Sequence, residues 1–278
     1  MNFEMLIGDI VDIFTSKTML RALAVGASVS VCTALLGVVL VLKSYSMIGD
    51  GLSHLGLGVL SVSLVLGIAP MWVSVPSIMV AAVLLLHLSE SSSVRGDSVI
   101  AVISTSSIAL SVIVTAAAGG LNSDVWSYMF GSVLAVSRGD AIAGVLLSLA
   151  VIATFVLFYN RIFAVCADER FARASGVNVR LCKLVLSIMI AITVAVGMRL
   201  VGTMLISGLI VFPALSAMSV TKRYRTVVIL SAVISLSCFT VGLIASYVLG
   251  LPSGAGIVAV NLICLLICRI VRLARSFG

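Results

Sequence analysis

The sequence predicts an all-α, polytopic integral membrane protein with about eight or nine transmembrane helices. Of its 278 residues, 62% are hydrophobic and only 10% are charged, far from the composition of soluble domains. Apolar runs of the roughly 20 residues that a membrane-spanning helix needs recur along the chain. The basic residues fall between these runs, so the net charge of +7 reflects membrane orientation and not nucleic-acid binding. We expect a single transmembrane domain over residues 1–278, embedded in a lipid bilayer.

The N-terminal segment is unlike a cleavable signal peptide. Glu4, Asp9 and Asp12 precede the first lysine, whereas signal peptides begin with basic residues. We expect residues 1–17 to form a short amphipathic segment at the membrane surface, followed by nine candidate spans. These spans are 19–42, 46–69, 72–89, 98–118, 140–159, 184–200, 202–220, 227–249 and 255–271.

Prolines and glycines mark the segments between several spans. Residues 69–70 and Pro76 predict a tight turn after the second span, and the run 119–125 predicts another. The apolar run 126–138 is too short to cross a bilayer, which indicates a re-entrant or interfacial segment. Pro213 removes a backbone hydrogen bond, so it predicts a kink or a break in the seventh span.

The positions of lysine and arginine predict the orientation. With the N-terminus outside and the C-terminus inside, thirteen of the 17 basic residues face the cytoplasm. They include Lys43, those of the loop 160–183, and Arg269, Arg272 and Arg275 near the C-terminus. Because basic residues collect on the cytoplasmic side, we expect a multi-pass protein of the inner (plasma) membrane with a cytoplasmic C-terminus.

The second span contains two ionisable side chains, Asp50 and His54. Their spacing of four residues places both on one face of a helix. Since a charge inside a bilayer costs about 2.5–3.5 kcal/mol on insertion scales, such a pair indicates function. Carboxylate oxygen and imidazole nitrogen together suit a divalent transition metal. The structural alternative is that the aspartate only orients a buried histidine through a hydrogen bond.

The loop 160–183 is the longest and most charged of the predicted cytoplasmic loops. Its centre predicts a short helix, because Asp168 and Glu169 suit the positive N-terminal end of a helix dipole and Gly176 can end the helix. Phe171 and Ala172 would form its apolar face. A helix this short needs a surface to pack against, which favours a docking element over a solvated linker.

Several catalytic motifs do not occur in the sequence. It contains no GxxxxGK[ST] nucleotide-binding loop, no HExxH and no matched second intramembrane aspartate. We therefore expect a non-enzymatic subunit without its own nucleotide-binding site. The six cysteines lie mostly in apolar runs, where buried small side chains are more common than disulfides or metal ligands.

Six stretches, in order, resemble the membrane permease subunit of metal-importing ABC transporters, the family that takes up zinc, manganese or iron. They are LLGVVLVLKSYSMIGDGLSH (35–54), GDSVIAVISTSSIAL (96–110), YMFGSVLAVSRGD (128–140), ADERFARASGVNVRLCK (167–183), VGTMLISGLIVFPALSA (201–217) and GLPSGAGIV (250–258). The third stretch is most similar to the zinc-uptake branch. The chain departs from the family pattern GDALSHAxLPG at Gly51, Leu55 and Gly58, where the proline is missing.

The resemblance implies a permease that imports a divalent transition metal, zinc first and manganese or iron otherwise, without a permanently bound cofactor. It implies a homodimer around a central pathway, a separate cytoplasmic ABC ATPase docked on the loop 160–183, and an extracytoplasmic metal-binding protein that delivers the ion. It also implies roles for individual residues. These are metal contact by Asp50 and His54, and coupling to the ATPase by Asp168, Glu169, Arg170, Phe171, Arg173 and Gly176.

The residues leave two other functions open. An ion-coupled secondary metal transporter could use Asp50 and His54 as a proton or metal relay. An intramembrane enzyme is the third possibility, although a second catalytic group is missing from the sequence.

Overall fold

The computed structural model describes residues 16–67, 70–91, 96–118, 138–200 and 202–277, which form ten α-helices and no strand. The helices are α1 (Lys17–Leu42), α2 (Ile48–Val65), α3 (Pro70–Ser91), α4 (Gly96–Ala117), α5 (Arg138–Ala167), α6 (Glu169–Ala174), α7 (Val179–Leu200), α8 (Thr203–Val220), α9 (Tyr224–Leu249) and α10 (Ser253–Phe277). The predicted segments 1–17 and 126–138 lie outside the described residues, except for residues 16, 17 and 138.

Seven of these helices are long and apolar enough to cross a membrane. The other two long helices, α3 and α8, contain shorter apolar stretches, Val75–Leu85 and Ile206–Val220. Each of the nine predicted spans corresponds to one long helix of the described chain. The predicted all-α, polytopic membrane fold is confirmed.

The prolines differ in part from the predictions. Pro76 lies inside α3 and not in the turn before it, because the helix already begins at Pro70. Proline suits the first helical position, where its missing N–H would have no partner within the helix. The break considered at Pro213 is absent, since α8 continues through this residue. Membrane helices tolerate an interior proline where neighbouring groups satisfy the freed carbonyl.

The fifth span is longer than predicted. Helix α5 continues from Arg138 to Ala167, beyond the predicted end at residue 159. The connection to α7 is therefore confined to residues 168–178, and most of it is the short helix α6. The predicted span stops before Asn160 and Arg161, two polar residues through which the helix continues.

Helix α1 lies at the centre of the bundle. It packs against α5, α7, α8 and α9, and 72% of its most apolar stretch is buried, compared with 11% for α10. Its crossing with α8 is close enough to require a glycine, because a Cβ on Gly37 would overlap the backbone carbonyl of Ile210. Small residues permit such approaches between membrane helices.

Helix α2 packs along α4 through small and hydroxylated residues. It is continuous through Gly58, the position where the family pattern has proline. A Cβ at Gly58 would lie 3.1 Å from the carbonyl oxygen of Ser107. One turn further along, the hydroxyls of Ser61 and Ser111 are 2.5 Å apart. The close approach of α4 thus accounts for a small residue at this position.

The six cysteines are all free. Cys32, Cys182 and Cys238 are buried, and the other three are partly buried.

Candidate metal pathway and coupling helix

The predicted pair lies near the start of α2. Asp50 is in the first turn of the helix, and His54 follows one turn later. Nε2 of His54 lies 3.5 Å from Oδ1 of Asp50. The side chains are 12% exposed for His54 and 28% exposed for Asp50. The pair therefore shares one helix face, as the spacing predicted, and remains accessible from one side.

Helix α8 contributes a third polar group. Ser207 lies close enough to Asp50 for its hydroxyl to interact with the carboxylate. The sequence pattern points only to the small residues around this serine, because nothing in the local sequence ties it to a residue in another span. The proximity is part of the packing of α8 against α2.

Contacts between helices locate the site in the bundle. Gly49, next to Asp50, lies against Ile210. A Cβ added to Gly49 would be 2.6 Å from Cδ1 of Ile210. The carbonyl of Ile210 in turn lies against Gly37. Gly37 precedes the end of α1 at Leu42 by five residues, or about 8 Å along a helix. The pair therefore lies inside the bundle, near the C-terminal end of α1.

Within the described part of the chain the site is incomplete. Nδ1 of His54 is buried and has no hydrogen-bond partner among the described residues. Leaving such a group unpaired is costly, so a ligand or a water molecule would be favoured there. The described residues contain no group of three or more His, Cys, Asp or Glu side chains that could hold a metal ion. Asp50 and His54 supply fewer than the four ligands usual for a tightly held zinc ion.

The predicted short helix is present as α6. The Asp168 side chain caps it by accepting hydrogen bonds from the backbone N–H groups of Arg170 (2.8 Å) and Phe171 (3.2 Å). Gly176 follows the helix with a φ of +81°, in the left-handed region that favours glycine. The helix therefore lies where the sequence predicts it, with Asp168 acting as its N-cap, a role beyond the predicted interaction with the helix dipole.

Phe171 and Ala172 do not form one apolar face, which corrects the prediction. Ala172 is fully buried against Val165, Val179 and Cys182. Phe171 is 68% exposed. Because consecutive residues of a helix are about 100° apart, one of the two anchors the helix while the other projects from it.

Glu169 faces the protein. Its Oε2 accepts a hydrogen bond from Nζ of Lys183 at 2.8 Å, and its Oε1 pairs with Nζ of Lys43. Burial raises the pKa of this carboxyl, but the hydrogen bonds and charges of the two lysines outweigh that effect and hold its pKa below the ordinary value. Glu169 is therefore ionised at neutral pH and ties α6 to the ends of α1 and α7.

The Lys43–Glu169 contact also places Lys43 and the loop 160–183 at the same end of the bundle. Lys43 and Glu169 are 126 residues apart in the sequence. Their charges alone predict that both lie on one side of the membrane. The ion pair itself is not predictable from the sequence, because a contact between residues so far apart has no local signal.

Comparison with known proteins identifies the family. The model of the ABC 3 transport family matches residues 15–272. The manganese transport system membrane protein MntC of Halalkalibacterium halodurans is 26% identical over 240 residues, which cover 86% of this chain and 82% of the relative. The high-affinity zinc uptake system membrane protein ZnuB of Haemophilus influenzae is also 26% identical, over 85% of this chain and 91% of the relative.

A solved structure shares the fold. PsaBC from Streptococcus pneumoniae in complex with Fab contains a chain that superposes with a TM-score of 0.83 at 23% sequence identity. The match covers 94% of each chain. The likeness extends over nearly the whole chain and shows a shared fold. The family model covers residues 15–272, and this multi-pass membrane protein therefore belongs to the ABC 3 transport family.

Proposed function

We propose that the chain is the membrane permease subunit of an ABC transporter that imports a divalent transition metal ion. The observation that carries the proposal is the polar group of Asp50, His54 and Ser207, held inside an apolar bundle of this family. Relatives are named for manganese and for zinc transport, which supports a metal as the substrate. We favour zinc, with manganese and iron as the alternatives.

The chemistry of the pair fits a transported ion. A neutral imidazole and an ionised carboxylate can replace part of the water shell of a divalent ion. A transport site has to release its ion, so a small ligand set is an advantage. We propose that two copies of the chain form a homodimer in which two Asp50 and two His54 side chains face one central pathway.

A separate cytoplasmic ATPase would supply the energy. We propose that α6 is its coupling helix and that Phe171 inserts into a cleft of the ATPase, since an exposed aromatic residue on an anchored helix has the character of a binding hot spot. Asp168, Arg170 and Arg173 would surround the cleft, and Gly176 would end the docking element. We propose that Glu169 belongs to the coupling helix but does not lie at the rim of the cleft, because its carboxylate faces the protein.

The orientation follows from this docking. If α6 contacts a cytoplasmic ATPase, then Lys43 and the C-terminus are cytoplasmic as well, and an extracytoplasmic protein would deliver the metal to the other side. An impermeant thiol reagent added to intact cells should then leave a Ser276→Cys variant unlabelled. Ready labelling from outside would reverse the orientation.

Uptake by vesicles tests the proposed function. The permease is reconstituted with its ATPase, and accumulation of Zn²⁺, Mn²⁺ and Fe²⁺ is measured by mass spectrometry. We expect accumulation that needs both ATP and the ATPase, and that is highest for zinc. Vesicles with the permease alone and an imposed proton gradient are the control. Uptake driven by that gradient without the ATPase would instead identify an ion-coupled secondary transporter.

A further inference from the structure

We infer that Lys43 transmits movement of the coupling helix α6 to the Asp50–His54 pair, and this inference rests on the proposed function. It assigns to Lys43 the role of a positioning residue: the lysine touches neither the ion nor the ATPase but connects the two elements that do. Three observations support it, namely the rigidity of α6, the way in which α6 reaches α1, and the short turn from Lys43 to Asp50.

Helix α6 is built to move as a unit with Glu169. Asp168 caps its first turn, and the buried Ala172 holds it against the protein. The backbone N–H of Val177 closes the far end by donating to the carbonyl of Ala172 at 3.0 Å. A displacement of Phe171 by a docked partner would therefore displace the carboxylate of Glu169 too.

The Lys43 side chain gives α6 a direct link to α1. The backbone of α6 packs against α5 and α7, the helices that flank it in the sequence. Lys183 belongs to α7, only 14 residues after Glu169, so its ion pair joins α6 to the helix that follows it in the sequence. The pair with Lys43 spans 126 residues and reaches the end of α1. Both lysine side chains are about four-fifths buried, where charge pairs are screened less than at the surface.

The turn after Lys43 is short and hydrogen-bonded. Lys43 directly follows Leu42, the last residue of α1, and α2 begins five residues after Lys43 at Ile48. The N–H of Tyr45 donates to the carbonyl of Leu40 at 2.8 Å, and the N–H of Ile48 donates to the carbonyl of Tyr45 at 3.0 Å. Because these hydrogen bonds restrict the turn, a displacement of Lys43 would tilt the first turn of α2, which contains Asp50.

The number of ions transported per ATP hydrolysed tests this role. The variants are Lys43→Gln, Lys183→Gln and, as a matched control from the same end of the bundle, the exposed Lys222→Gln. Each is reconstituted as the complete complex with Zn²⁺ or Mn²⁺ as the probe. We expect Lys43→Gln to lower the ratio about tenfold or more while the ATPase still co-purifies and hydrolyses ATP. Lys183→Gln, Lys222→Gln and the charge-conserving Lys43→Arg should keep the wild-type ratio.

Three results would overturn the inference. The first is an unchanged ratio in Lys43→Gln. The second is an equal loss in Lys183→Gln, which would mean that the lysines only hold Glu169 in place. The third is failure of Lys43→Gln to assemble, which would assign Lys43 to folding. Failure of the proposed function is distinguishable, because the wild-type complex would then transport neither ion.

Discussion

We expect Asp50→Ala and His54→Ala each to lower metal uptake by about 100-fold or more, because each removes one of the few groups that can replace the water shell of the ion. The assembled complex should still hydrolyse ATP, since neither residue belongs to the proposed docking helix α6. Uptake and hydrolysis are measured in the same vesicles, so that a loss of transport is not mistaken for a loss of protein.

The control for this pair is an aspartate on another helix. Asp140 lies in the first turn of α5, and Asp140→Asn should leave uptake within about twofold of wild type. If Asp50→Ala and His54→Ala both transport normally, then the carboxylate only orients a buried histidine. That is the structural alternative that the sequence leaves open.

The second large effect concerns docking of the ATPase. We expect the double variant Phe171→Ala, Arg173→Glu to weaken co-purification of the ATPase by about 30-fold or more, since loss of one interface hot spot costs 2 kcal/mol or more. The variant should still reach the membrane, because the packing of Ala172 and the cap at Asp168 remain. Quantitative pull-down from detergent extracts measures the association.

Leu157→Ala is the matched control for docking. Leu157 is an even more exposed apolar residue, but it lies on α5, away from α6. It should retain the ATPase fully. Normal association and normal transport in the Phe171, Arg173 double variant would show that the ATPase does not dock on α6.

Local signals in the sequence were sufficient for much of the fold. Nine apolar runs correspond to nine long helices of the described chain, because burial in lipid demands continuous apolar segments. The short helix α6 was also predictable, since the cap at Asp168 and the left-handed Gly176 are properties of neighbouring residues. The shared face of Asp50 and His54 follows from helix geometry alone.

Contacts between distant segments were not predictable in this way. The serine near Asp50 lies on α8, and the lysine that pairs with Glu169 lies at the end of α1. Proline usually marks a turn, which is why the sequence predicts one at Pro76, whereas this residue lies inside α3. Such outcomes depend on which helices become neighbours, and a single sequence does not encode that in any local pattern.

The most direct test of the central claim is an engineered trap for a soft metal ion. Ser207→Cys places a thiol beside Asp50 and His54, and thiolates bind soft ions such as Cd²⁺ far more tightly than hydroxyls do. Ser216→Cys, nine residues further along α8 and on the opposite face, is the control. If metal ions pass between these side chains, Cd²⁺ should block ATP-driven uptake in Ser207→Cys at a concentration about tenfold or more below that needed for wild type or for Ser216→Cys. Equal sensitivity of all three proteins to Cd²⁺ would contradict a metal pathway at Asp50 and His54.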